Sequence, residues 1–346
     1  MATMKDISKK ANVSLSTVSA VINQSAYVSP ALTNRVMQAI KELNYKPNAV
    51  ARSLKKKRTN TVGVIVSNLS NPFYPPLIEG IEDVSFNNNF NVILCNVSNG
   101  HKKILTYLEL MLEKQVDGLL LANIANSEDL NEVEKSGLKY VLINRKPSFY
   151  DKNFVGVNNP LSSELAVNHL VRQGYKRIAF LGGDLGINTA RERKAGFMSC
   201  MTLNGLDIDP MLIFDGEYSL ESGYTNVKKM IEQVEVLPEA ICTASDIIAF
   251  GVIKGLRDSG IRVPEDISVI GNDNNSFSEN FLVPLSSIDH STYDMGKISM
   301  EFLLEMIKEK DETRARQIIL TPSLVVRESC GYKKIRLINF IKSTLG

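Results

Sequence analysis

Residues 3–23, TMKDISKKANVSLSTVSAVIN, read as two short helices joined by a tight turn. Thr3 is placed to cap the first helix, with Asp6 three residues on in a capping-box spacing. Ile7 and Ala11 then share one face, and Asn12-Val13-Ser14 forms the polar break between the helices. Ser14 can cap the second helix, whose Val18, Val21 and Ile22 make an apolar stripe at helical spacing. Ser16, Thr17 and Ala20 lie mostly on the opposite face, where small hydroxyl and methyl groups can meet base edges. The spacing predicts a helix-turn-helix whose second helix enters a major groove. An amphipathic helix pair on an ordinary globular surface would show the same periodicity, so charge has to separate the two readings.

The chain has 40 Lys and Arg against 38 Asp and Glu, but the balance is uneven. Its first 60 residues hold eleven of those bases and only two acids, Asp6 and Glu42, a net of +9. The remaining 286 residues carry a net of −7. A basic head on an acidic body suits a protein that grips phosphate backbones at one end.

A third helix is expected over 30–43, with Ser29 as N-cap, Pro30 at the first helical position, and Leu32, Val36, Ile40 and Leu43 facing inward. It closes a head of residues 1–46. Over 47–59, Asn48 can cap one or two helical turns, Ala49–Leu54, followed by Lys55-Lys56-Lys57-Arg58. A helix that short is unstable alone and is expected to fold only against DNA and a second copy.

From residue 61 the pattern becomes β-rich apolar runs alternating with helical stretches. Strands are expected at 61–67, 92–96, 118–122, 140–143, 177–181, 211–215, 239–243 and 267–271, with late strands at 285–290 and 317–326 around a helix at 293–309. The cycle restarts once, which predicts two doubly wound α/β subdomains with a ligand cleft at the carboxyl ends of their strands. Late strands after a complete second cycle imply that the chain crosses back between the halves. Cys95, Cys200, Cys242 and Cys330 show no CxxC pairing and read as reduced core thiols. No apolar run approaches a membrane span and no signal-peptide core opens the chain, so a cytoplasmic protein is expected.

The strings TMKDISKKANVS at 3–14, Thr17-Val18-Ser19 and Tyr45-Lys46-Pro47-Asn48-Ala49-Val50-Ala51-Arg52-Ser53-Leu54 closely resemble the lactose-repressor/galactose-repressor (LacI/GalR) family. The resemblance continues through Val116-Asp117-Gly118, Val263-Pro264-Glu265-Asp266, Gly271-Asn272-Asp273-Asn274 and Val326-Arg327-Glu328-Ser329, covering residues 1–331. It implies a DNA-binding repressor, homodimeric or a dimer of dimers, with a periplasmic-binding-protein-like (type I) core at 60–332. The implied subdomains are about 60–160 plus 290–323 and 161–289 plus 324–332, and a basic tail, 333–346, extends beyond the resemblance.

Carried over by position, Ser16, Thr17 and Ala20 face base edges, while Lys5, Ser14 and Asn23 hold phosphates or neighbouring groups. Arg52, Leu54 and Lys55 complete the DNA set, with Leu54 as a minor-groove wedge. Ala20 departs from relatives that carry a hydrogen-bonding residue here. For the effector the implied set is Asn71, Phe73, Asn144, Arg145, Thr189, Arg193, Tyr218, Ser245, Asp273 and His290. Asn144 stands where sugar binders often have Asp, and Ser245 where Asn is frequent. With Arg145 and Arg193 opposed mainly by Asp273, an acidic sugar or sugar phosphate is the expected ligand.

No cofactor or metal is implied. A transport receptor using the same cleft conflicts with the basic head. An enzyme lacks support, because the chain has no Walker loop, HExxH or GxSxG and its three histidines are scattered. Gly182-Gly183-Asp184-Leu185-Gly186 reads as a loop without dinucleotide spacing. Control by a phosphorylated carrier protein is the remaining alternative.

Overall fold

In a computed structural model, residues 2–23, 25–45, 58–97, 101–122, 124–309 and 315–331 are described. The chain divides into two compact units, residues 1–59 and 60–346.

The first unit contains α1 (Met4–Ala11), α2 (Leu15–Asn23) and α3 (Pro30–Glu42). The capping box at Thr3 and Asp6 forms in both directions. Asn12 takes a left-handed conformation (φ 46°), and its N–H reaches back to the carbonyls of Ser8 and Lys9, ending α1 where the sequence turns polar. Ile7, Ala11, Val18, Val36 and Ala39 form the buried core, with Val21, Ile22, Ile40 and Leu43 packed around it. The Arg35 guanidinium donates to the carbonyl of Ala11 at 2.6 Å, so α3 satisfies the C-terminus of α1. Ser29 is the N-cap residue of α3 and Pro30 opens the helix, as expected, but the Ser29 side chain makes no cap bond; the missing N–H of Pro30 needs no partner there.

The second unit has two six-stranded sheets. The first is built from β1 (Thr61–Val66), β2 (Asn91–Asn96), β3 (Gly118–Ala122), β4 (Tyr140–Ile143), β5 (Phe154–Val157) and β11 (Gln317–Leu320), in the order β11-β5-β4-β3-β1-β2. The second holds β6 (Ile178–Leu181), β7 (Ile213–Phe214), β8 (Ala240–Thr243), β9 (Ser268–Asp273), β10 (Ser286–Asp289) and β12 (Ser323–Val325), ordered β12-β10-β9-β8-β6-β7. All pairings are parallel except β10 with β12. Buried on both faces, β3 and β6 are continuous apolar runs, as parallel strands require, and β8 is one up to Thr243.

Helices α4 (Tyr74–Asn87), α5 (His101–Glu113), α6 (Ser127–Lys135) and α11 (Thr292–Lys308) belong to the first sheet's half. In the other half lie α7 (Asn159–Arg172), α8 (Asn188–Leu203), α9 (Leu220–Gln233) and α10 (Asp246–Asp258). Helices α4 and α11 pack closely through glycine. A Cβ on Gly80 would lie 2.2 Å from the Tyr293 carbonyl oxygen, and one on Gly296 would lie 2.0 Å from that of Leu77.

The chain passes between the halves three times: from β5 into α7, from β10 into α11, and from β11 to β12. Three expectations change here. The run 317–326 is two strands in different sheets, because Thr321-Pro322 breaks the ladder. Strand β5 was not expected at all; it is four residues long and interrupted by Gly156, too short to show a period. The run 211–215 shrinks to β7, since Asp209-Pro210 starts a 3₁₀ turn instead. All four cysteines are buried free thiols. Among the described residues no helix is long and apolar enough to cross a membrane.

Candidate DNA-reading face and effector cleft

On α2 the Ser14 hydroxyl accepts the Thr17 N–H at 3.0 Å, so it caps the helix as its position suggests. The same oxygen lies 2.7 Å from the Ser16 hydroxyl and 2.8 Å from that of Thr17, tying the three into one small polar cluster. Lys5, Ser14 and Ser16 are exposed, whereas Thr17, Ala20 and Asn23 are half-buried. The Asn23 amide donates to the Ser19 carbonyl at 2.8 Å. Leu15 is 45% exposed beside Ser16, an apolar side chain turned away from the head's core and outside the sequence-derived set. Its signal was its place off the Val18, Val21, Ile22 stripe. Arg52, Leu54 and Lys55 lie outside the described residues, as do most of 47–59 and the tail 333–346.

In the second unit, strands from both sheets end at a cleft, as doubly wound sheets dictate. A cavity of about 450 Å³ opens there, with Asn71 and Arg145 on one side and Ile187, Tyr218 and Ser219 on the other. The Arg145 guanidinium stands 5.8 Å from the centroid of the Tyr218 ring. Its Nε is shielded from solvent and has no hydrogen-bond partner. The Tyr218 hydroxyl meets Thr189 Oγ1 at 3.1 Å, so Thr189 orients the ring from behind. Three carboxylates absent from the sequence-derived set also line this cavity: Asp129, Asp184 and Glu217. Asp184 comes from the glycine-rich loop directly after β6, the one signal that could have drawn attention to it. Phe73 and Asp273 line a separate cavity of about 280 Å³ with Asn275 and Asp289.

Arg193 is not free to meet an anion. It is 2% exposed, and each of its three guanidinium nitrogens already has a protein partner. Nε donates to Asn159 Oδ1 at 2.9 Å, Nη1 to the Ala244 carbonyl and to Asp273 Oδ1 at 3.4 Å, and Nη2 to His290 Nδ1 at 3.5 Å. The same Nδ1 lies 3.4 Å from Asp273 Oδ1, and Nε2 faces Ser162 Oγ at 3.3 Å. Burial, reinforced by the Arg193 charge, holds His290 well below its usual range, so it is neutral. Ser245 is also committed. Its hydroxyl accepts the Ile248 N–H and caps α10, as Ser does at helix starts whatever lies nearby. Asn144 is buried with an unpartnered Oδ1. Among the described residues no group of three His, Cys, Asp or Glu side chains is placed to hold a metal ion.

Burial pushes the Asp273 carboxyl up to about 7, against the pull of Arg193. Its neighbour Asp246, fully buried and near the Asp273 charge, is raised to about 6 while accepting from Asn275 N–H and the Ser278 and Ser287 hydroxyls. Folded Asp273 therefore keeps a proton that the unfolded side chain releases near 4. Its contribution to stability is complete below that value and is lost as pH rises to about 7. The unfolding free energy of Asp273→Asn minus that of the wild type should rise with pH across this window and level off above it. Urea titrations between pH 4 and 8 measure this; a flat difference contradicts the assignment.

Residues 3–48 match the bacterial regulatory proteins of the lacI family. Over 331 residues the chain is 36% identical to the HTH-type transcriptional repressor PurR of Pasteurella multocida (strain Pm70), spanning 95% of this chain and 98% of that one. This chain belongs to the LacI family. It is a DNA-binding transcriptional regulator with a helix-turn-helix head and a two-subdomain α/β core. Residues 167–330 of this LacI-family regulator match a periplasmic binding protein-like domain. It is also 36% identical to the transcriptional regulator RegA of Clostridium saccharobutylicum, over 94% of this chain and 98% of that one. In structure it resembles the lac repressor dimer bound to operator and the anti-inducer ONPF, at TM-score 0.85 and 29% identity over 95% of this chain and 98% of that one. The regulator CelR in complex with cellobiose aligns at TM-score 0.72 and 29% identity, over 95% and 100% of the two chains.

Proposed function

We propose that this LacI-family regulator represses transcription as a dimer on a palindromic operator, and that a small neutral polyhydroxylated ligand in the cleft sets its operator affinity. The observation that carries the ligand class is the 450 Å³ cavity, within the range of about 300–1,000 Å³ typical of small-molecule sites. Asp184 and Glu217 line it beside one guanidinium, while Asp129 already accepts from Asn126 Nδ2, so acceptors for hydroxyl protons outnumber cationic donors. The Tyr218 ring supplies an apolar face for C–H groups. The unpartnered Arg145 Nε supplies a directed donor. With Arg193 withdrawn into the protein, the expected preference for a sugar acid or phosphate loses its second cation. For dimerisation, exposed Phe277 and Leu282 on the β9–β10 loop and Leu94 on edge strand β2 provide apolar surface.

The test is a thermal-shift screen of neutral sugars, sugar acids, sugar phosphates and nucleobases, followed by operator-binding assays with each compound that stabilises the protein. A neutral sugar should raise the melting temperature and change operator affinity. Stabilisation by sugar acids, phosphates or nucleobases alone would overturn the ligand class.

On the DNA side, Ser16, Thr17 and Ala20, with Leu15 beside them, form the base-contacting surface in this reading. Ala20 offers only a methyl group, suited to the thymine methyl. Ala20→Gln should transfer preference at the facing base pair toward adenine, by about 1–3 kcal/mol of discrimination. Selection from a randomised half-site library checks this, and an unchanged preferred sequence would remove Ala20 from the reading surface.

A further inference from the structure

The two halves of the core are joined by more than their three connecting strands. The loop between β4 and β5, on the first half, reaches the start of α8 on the second: the Lys146 backbone N–H donates to Asn188 Oδ1 at 3.0 Å. Asn188 is buried, and its Nδ2 donates onward to Glu192 Oε1 at 3.1 Å. The other carboxylate oxygen, Oε2, accepts from Asn159 Nδ2 at 2.8 Å, and Asn159 opens α7 immediately after the first crossover. Asn159 Oδ1 in turn takes the Arg193 Nε–H, and Arg193 contacts His290 at the second crossover. Lys146 also sends its Nζ to Gln317 Oε1 at 2.8 Å on β11, the strand that leads into the third.

One carboxylate thus holds two amides at once. One amide is part of a contact across the cleft, and the other is part of the buried cluster at the crossovers. We propose that Glu192 is a positioning residue of the switch: it couples closure of the cleft to the geometry of the crossover segments. The inference rests on reading the cleft as the effector site, and it adds the path by which the site is regulated. Both donors point at the carboxylate, which has only acceptors, so the arrangement is satisfied in the latched state. When the halves rotate apart the Lys146–Asn188 bond breaks, Asn188 is released, and Glu192 no longer fixes Asn159 between two partners. A buried polar network of this kind has discrete arrangements, as a two-state element requires.

Glu192→Gln tests the idea with little change of shape, because the new amide N–H₂ must face one of two N–H₂ donors. The four native cysteines are buried, so spin labels can be placed on cysteines introduced at exposed Ser127 and Glu221, one on each half. In the ligand-free full-length protein, Glu192→Gln should give a longer and broader label-to-label distance distribution than the wild type. Asn188→Ala, which removes the cross-cleft acceptor but leaves Glu192 bound to Asn159, should shift it in the same direction. A distribution unchanged in both variants overturns the proposal. This readout needs no ligand, so it stays separate from the reading of the cleft, which fails if no sugar alters the wild-type distribution. Where a sugar does act, the ratio of operator affinities with and without it should fall by at least about fivefold in Glu192→Gln, the lower end of common coupling strengths. An unchanged ratio also contradicts the proposal.

Discussion

Above about pH 7, where Asp273 is ionised, replacing Arg193 by Ala is expected to destabilise the core by about 3–5 kcal/mol, the usual cost of removing one partner from a buried ion pair. Four groups lose a contact together: Asn159 Oδ1, the Ala244 carbonyl, Asp273 and His290 Nδ1. None can turn to water, since Asn159, Asp273 and His290 are each at most 7% exposed. For a unit of this size the loss corresponds to a fall in the melting temperature on the order of 10 °C. Arg193→Lys should retain part of the charge pairing but not the fork that serves several acceptors at once, so its melting temperature should lie between the two. Scanning calorimetry separates this account from one in which Arg193 mainly holds ligand. In that case Arg193→Ala would weaken ligand binding and leave the melting temperature of the ligand-free protein unchanged.

The second large effect is in the head. Ile7 is fully buried, one of five buried residues that form the head's core among the described residues. Truncation to Ala removes most of its contacts, and such changes cost about 2–5 kcal/mol. A domain this small rarely has more than about 3–5 kcal/mol in reserve. Ile7→Ala should therefore leave the head largely unfolded while the core melts as before. Apparent affinity scales with the competent fraction, and two heads must be folded on a palindrome. Operator binding should weaken by about tenfold to a hundredfold, with ligand binding to the cleft unchanged. Parallel loss of ligand binding would show that the two units do not fold separately.

These two predictions concern regions of very different legibility. The head is written in local signals. Thr3 and Asp6, the polar turn at Asn12 and Pro30 each act within a few residues of their position, so spacing alone conveys them. The apolar runs of the core likewise announce buried parallel strands. Strand β5 and the break at Thr321-Pro322 were not visible, because a strand of three or four residues has no measurable period and its sheet is chosen by distant partners.

The site divides in the same way. Arg145, Tyr218 and Asn71 follow strand ends, and topology alone brings them to the cleft. Arg193 follows the same rule but is drawn inward by Asn159, Ala244, Asp273 and His290, between 34 and 97 residues away in the chain. No local pattern records those contacts. Ser245 shows the converse problem: a hydroxyl before a helix looks the same whether it caps the helix or meets a ligand. Charge counting along the chain also missed Asp184 and Glu217, because loop acids are common and only the fold places these two beside Asp129.

If the cleft and the head share one equilibrium, as proposed here, effector and operator affinities are linked. Calorimetry of the neutral sugar that most stabilises the protein should be performed with the free protein and with the protein saturated by operator. The two dissociation constants should differ by the same factor by which that sugar changes operator affinity. Identical sugar affinities in the two states, for a sugar that binds in the cleft, would contradict the account.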